Sequence, residues 1–172
     1  MIQVGDTIPS VPAKLVENDE IRDTTSDAVL GQGTVVFFTV PGAFTPTCHV
    51  NHLPGFISNA VKLRAAGVTR IVCGAVNDPH VLKAWAQDTS AVGVVEFLAD
   101  GNGSLAEAMG LSKDLSAGGM GRRFGRSAML IRDGIVQHLF VEDKPGVSGS
   151  GAPAVLMALE ADREEETLGT GA

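Results

Sequence analysis

The 172-residue chain is 44% hydrophobic and 19% charged, which is enough for one domain with a full core and normal for a soluble globular protein. Its net charge of -7, with 13 Lys and Arg spread along it, argues against nucleic acid as the main partner. The longest apolar runs are far shorter than a membrane span. The first residues lack a basic stretch followed by an apolar one, so no signal peptide and a cytoplasmic location are expected.

Residues 1–33 are rich in Pro, Asp, Asn and Thr with short apolar pieces, which predicts a β-hairpin or extended arm. The run Val35-Val36-Phe37-Phe38-Thr39-Val40 then reads as a buried central strand spanning 34–40. Pro41-Gly42 ends it, because proline cannot donate to a ladder and glycine accepts turn geometry.

Thr45 is a candidate N-cap and Pro46 fits a first helical position. The apolar spacing of Leu53, Phe56, Ile57, Ala60, Val61 and Leu63 carries this helix to about residue 66, kinked at Pro54 and closed by Gly67. Cys48 would stand in the first turn, beside unpaired N–H groups and the positive end of the helix dipole. Such a site favours thiolate over thiol.

A second buried strand is predicted over 69–76, making a βαβ unit with a parallel strand pair. Asn77-Asp78-Pro79 caps a helix over 80–89, with Val81, Leu82 and Trp85 inward. A third strand at 94–98, a turn at 100–103 and a short helix at 104–109 follow. Residues 111–125, with four glycines, read as loop. Strands at 127–131 and 135–141 joined by Arg132-Asp133-Gly134 make a hairpin. A last helix covers 152–166, with a frayed tail at 168–172. The expected whole is one α/β domain over 1–172, a central mixed β-sheet flanked by helices. Cys48 lies just past the carboxyl end of a central strand, where open α/β sheets place ligands.

The only two cysteines, Cys48 and Cys73, are too few for a disulfide scaffold, and no C-x-x-C pair exists. From spacing alone, Cys48 as a buried structural thiol weighs as much as Cys48 as a reactive one. The motif P-G-A-F-T-P-T-C at 41–48 resembles the P-x-x-x-T-x-x-C active site of peroxiredoxins. C-H-V-N-H-L-P-G-F at 48–56, V-N-D-P-H-V-L-K-A-W at 76–85 and F-L-A-D-G at 97–101 are similar to the type II, or peroxiredoxin-five-like, subfamily.

The resemblance implies a thioredoxin-like fold and a thiol peroxidase without metal or organic cofactor. Cys48 would be the peroxidatic cysteine, attacking the O–O bond of hydrogen peroxide or an alkyl hydroperoxide to leave a sulfenic acid. Thr45 would hold thiolate and peroxide through its hydroxyl, and Pro41 would shield the sulfur. Backbone N–H groups near Thr47 would stabilise charge on the oxygens in flight. The family's arginine falls on Arg126, within G-R-S-A-M-L-I-R-D-G at 125–134. There the chain has Ser127 where the family usually has an aromatic. Arg122 and Arg123 read as a solvated basic turn.

Some type II members carry a second cysteine at the spacing of Cys73, as a resolving thiol. Cys73 should lie on the order of 10 Å deeper than the strand end beside Cys48, and a disulfide needs Cα atoms within roughly 7 Å. The first turn at Cys48 would therefore have to unwind. Cys73 as resolving thiol and Cys73 as small core hydrophobe both stand. If it is inert, an external thiol must reduce the sulfenate; the subfamily suggests glutathione with glutaredoxin, or thioredoxin, and a homodimer.

Cys48 and His52 share a helical face but lack further ligands for a metal. A histidine at this position in the subfamily suits packing or hydrogen bonding. His80 and His138 read as solvated or half-buried. A dithiol oxidoreductase is disfavoured, because it would have a cysteine at Thr45. A redox sensor or relay protein using the same thiolate is the alternative.

Overall fold

The computed structural model describes residues 1–47, 51–143, 147 and 149–170. The N-terminal arm is a hairpin of β1 (Pro12–Glu17) and β2 (Glu20–Thr25). It turns through Asn18 and Asp19 at φ 50° and 66°, the left-handed geometry that Asn and Asp tolerate. A short helix not expected from the sequence, α1 (Ser26–Leu30), follows and buries Val29 and Leu30.

The predicted central strand is β3 (Thr34–Thr39). It runs parallel to β4 (Arg70–Ala75), and β4 runs parallel to β5 (Glu96–Ala99). The late hairpin is β8 (Ser127–Arg132) and β9 (Ile135–Val141), turning at Asp133 and Gly134 with φ 49° and 81°. β8 pairs antiparallel with β3. The seven-stranded sheet has the order β2-β1-β5-β4-β3-β8-β9, so it is mixed and β3 is interior, as expected.

Both faces of β3 are covered, which is why its apolar run does not alternate. Val36, Phe38 and Val40 join one core cluster with Leu53, Phe56, Leu63, Trp85 and Leu159. Val35 and Phe37 join the other, with Leu30, Leu105, Met109 and Phe124.

The connection after β3 departs from the single kinked helix expected. Residues 46–47 are helical, 51–52 form a π turn, and two short helices follow, α2 (Leu53–Ser58) and α3 (Ala60–Ala65). Pro54 therefore stands in the first turn of α2, where its missing N–H costs little. The kink was expected from the Pro54 ring meeting the Val50 carbonyl, and residue 50 lies outside the described residues. A second break falls at Asn59 (φ −101°, ψ 6°), whose side-chain amide donates to the Gly55 carbonyl at 2.8 Å. Local side-chain bonding of this kind competes with the helical ladder. Gly67, at φ 103°, closes α3 as expected.

Helix α4 (Pro79–Asp88) is capped by Asp78, which accepts from the Val81 N–H at 3.0 Å. It buries Leu82 and Trp85. Helix α5 (Ser104–Ala108) follows β5.

The stretch read as loop holds a small second sheet, β6 (Ser112–Asp114) with β7 (Arg122–Phe124), around a 3-10 turn at Ser116–Gly118. Three-residue strands are too short to show an alternating pattern. The last helix, α6 (Ala152–Thr170), runs through 168–170, where fraying was expected; residues 171–172 lie outside the described ones. Among the described residues no helix is long and apolar enough to cross a membrane.

Candidate active site

The site is built where β3 ends. The Val40 N–H donates to the Gly74 carbonyl at 3.1 Å, tying the chain to the end of β4. The Ala43 N–H donates to Asn77 Oδ1 at 3.0 Å. Arg123 donates through Nη1 to the Pro41 carbonyl at 3.4 Å and through Nε to the Met120 carbonyl at 2.9 Å. Phe44 adopts φ 62°, uncommon for an aromatic residue and an indication of a backbone held by its surroundings.

Thr45 donates its hydroxyl hydrogen to the Gly42 carbonyl at 2.7 Å. The Oγ1 lone pairs are thereby left to accept. Pro41 and Thr45 are both half-buried, and Pro46 and Thr47 begin the helix. Cys48 and His49 lie outside the described residues.

Arg126, half-buried between β7 and β8, donates through Nη1 to His52 Nδ1 at 3.0 Å. His52 is buried, 1% exposed, against Phe38 and Phe56 at ring distances of 5.2 and 5.6 Å. Its Nε2 meets the Ser150 carbonyl at 2.9 Å. A guanidinium only donates and a carbonyl only accepts. The ring is therefore the neutral tautomer with hydrogen on Nε2. Burial, aided by the Arg126 charge and opposed by the Ser150 bond and the Glu142 charge, pushes the His52 pKa down from 6.5 to about 4.

The departure at Ser127 has a local cause. Ser127 is the cross-strand partner of Thr39, and their hydroxyls lie 2.6 Å apart, fully buried. Thr39 Oγ1 also donates to the Gly125 carbonyl at 2.7 Å. Thr39 thus joins β3 to the residues on either side of Arg126, Ser127 through the hydroxyl pair and Gly125 through its carbonyl.

Cys73 is fully buried in β4, in register with Phe38 on one side and Phe97 on the other. Its thiol shares the cluster of Phe56, Leu82 and Trp85. Arg122 is exposed as expected. Arg123 corrects the reading of a solvated turn: it is half-buried, and from its place in β7 its guanidinium reaches the Pro41 carbonyl. His80 is exposed, and half-buried His138 stacks on Phe140 and bonds Asp162.

Arg123 and Asn77 were not singled out as holding the Pro41–Thr45 segment. In the sequence Asn77 shows only as part of a helix start, and no local pattern distinguishes an amide that caps a helix from one that reaches across to another loop.

The Redoxin family model matches residues 3–156. Peroxiredoxin-2B of Arabidopsis thaliana is 40% identical over 159 residues, covering 92% of this chain and 98% of that protein. The crystal structure of reduced Prx3 in complex with hydrogen peroxide from Vibrio vulnificus is similar at TM-score 0.86 and 39% identity, covering 92% of this chain and 99% of the other. Peroxiredoxin 5 from Alvinella pompejana matches at TM-score 0.82 and 30% identity, over 94% and 99% of the two chains. With its thioredoxin-like sheet and motif blocks, the chain belongs to the redoxin family as a peroxiredoxin of the Prx2 and Prx5 type, a thiol-dependent peroxidase.

Proposed function

We propose that Cys48 is the peroxidatic cysteine and that Thr45, Pro41 and Arg126 serve it. The Cys48 thiolate attacks one peroxide oxygen. An S–O bond forms, the O–O bond breaks, and the departing oxygen leaves as water or alcohol after taking a proton. A sulfenic acid remains. The observation that carries this reading is the tethering of residues 40–43 at the end of β3 by Gly74, Asn77 and Arg123, with Thr45 bonded back to Gly42 of that loop. A fixed loop costs no reorganisation at the moment of reaction. Thr45, its hydrogen already given to Gly42, is suited to accept the peroxide O–H and orient it. The Arg126 guanidinium, oriented by His52, stabilises the thiolate and the charge on the leaving oxygen.

Two routes reduce the sulfenate, each releasing one water and consuming two external thiols overall. Cys73 attacks it after the helical start at 46–47 unwinds, giving a 48–73 disulfide that an external dithiol such as thioredoxin reduces, or an external thiol, glutathione with glutaredoxin or thioredoxin, forms a mixed disulfide on Cys48 that a second thiol resolves. Burial of Cys73 among Phe38, Phe97 and Trp85 favours the external thiol. The working form is a homodimer in the cytoplasm.

Peroxide consumption supplied with glutathione plus glutaredoxin, or with thioredoxin, is the direct test. Cys48→Ser is expected to abolish it, while Cys73→Ser keeps the first turnover. Mass spectrometry assigns the route: a 48–73 disulfide for Cys73, a mixed disulfide on Cys48 for the external thiol. Rapid Cys48 oxidation without sustained turnover marks a redox relay instead. Loss of the first turnover in Cys73→Ser overturns the placing of Cys73 outside the peroxide step.

A further inference from the structure

We propose that Glu142 is a positioning residue for the peroxidase reaction, acting through Ser150 and His52 on the guanidinium of Arg126. The inference rests on the reading of Arg126 given above. A single carboxylate oxygen, Glu142 Oε1, accepts from the N–H of Gly149 at 2.6 Å, the N–H of Ser150 at 2.8 Å and the Ser150 hydroxyl at 3.1 Å. Three donors on one oxygen, two of them the N–H and hydroxyl of Ser150, hold this residue on both its main chain and its side chain and so anchor the residue whose carbonyl faces the ring.

That carbonyl dictates the hydrogen on His52 Nε2. The Ser150 hydroxyl oxygen, 3.5 Å from Nε2, has its hydrogen committed to Glu142 and also presents a lone pair to the ring. Nδ1 is left as the acceptor for Arg126. The opposite tautomer would set a lone pair against the carbonyl and an N–H against the guanidinium. The charged groups acting on the ring are Arg126 and Glu142, and it meets Phe38 edge-on and Phe56 at a tilt. Its low pKa, about 4, keeps it neutral over the working range. The Glu142 N–H also donates to the Arg126 carbonyl at 3.0 Å, so one residue holds Arg126 through its main chain and, by relay, through its side chain.

A staple for the 149–150 loop alone would change stability. A positioning role changes the His52 tautomer and the rate together. The test compares the full chain with Glu142→Ala and Glu142→Gln. The readouts are long-range 1H–15N spectra of the imidazoles, with His52 identified by loss of its signals in His52→Asn, and the second-order rate constant with hydrogen peroxide.

Glu142→Ala is expected to mix the two His52 tautomers and lower the rate about tenfold, as misplacement of a charge stabiliser does. Glu142→Gln keeps an accepting oxygen and is expected to restore the Nε2–H tautomer and most of the rate. Should Glu142→Ala not fold, Glu142→Asp, which draws the oxygen back by one methylene, takes its place. The link is overturned if the tautomer persists in Glu142→Ala, or changes with the rate untouched while Arg126→Gln is disabled. If Arg126→Gln keeps full rate, the Arg126 reading fails and this inference falls with it.

Discussion

Thr45 shows how one hydroxyl is set for a single role. Its hydrogen goes to the Gly42 carbonyl at 2.7 Å, so toward a ligand it is an acceptor only. Thr45→Val keeps the shape and removes the oxygen. It is expected to lower kcat/KM for hydrogen peroxide by about a hundredfold, the scale of losing one preorganised polar contact, whereas Thr45→Ser stays close to wild type. Stopped-flow peroxide kinetics on both variants check this, and equal rates for Val and Thr would remove Thr45 from the reaction. His52 was legible as a packing or hydrogen-bonding residue, but its partners Arg126 and Ser150 were not, since they lie 74 and 98 residues away.

At the scale of elements, β3 and β4 are held close by a missing side chain. A Cβ on Gly74 would stand 2.5 and 2.7 Å from two ring atoms of Phe37, a ring fully buried and packed edge-on against Phe124. Gly74→Ala is therefore expected to cost about 1–3 kcal/mol, as overpacking of a dense core does, read as a lower urea midpoint with an unchanged slope. The same glycine supplies the carbonyl that ties down Val40, so the variant tests whether the site tolerates a shift of β4. The break at Asn59 and the strands β6 and β7 were not visible beforehand. The break is a single turn and each strand is three residues long, below the length at which periodicity speaks.

For the whole molecule, burying a neutral imidazole makes stability depend on pH. The His52 pKa falls from 6.5 to about 4 in the fold, so between those values the unfolded chain binds more protons. Stability therefore rises with pH through that window, is complete above about 6.5, and is lost as pH falls toward 4. The contribution is about 3 kcal/mol. Chemical denaturation at pH 7 and pH 4.5 should show this loss in wild type and a smaller one in His52→Asn. An equal pH slope in both proteins would mean that another group carries it.

What the chain alone determined is what adjacent residues can encode. The apolar runs specified β3 and β4 with their parallel crossover, the Asp133-Gly134 pair specified the β8–β9 hairpin, and Asp78-Pro79 specified the start of α4. In each case the backbone preference is local and the tertiary context agrees with it. What only the tertiary structure decided is which side chains meet. Arg123 reaches Pro41 from 82 residues away, and Glu142 reaches Arg126 by way of Ser150 and His52. These contacts depend on sheet order and on loops folding back over the end of β3, and a hydrogen bond between distant loops leaves no period in the sequence to read.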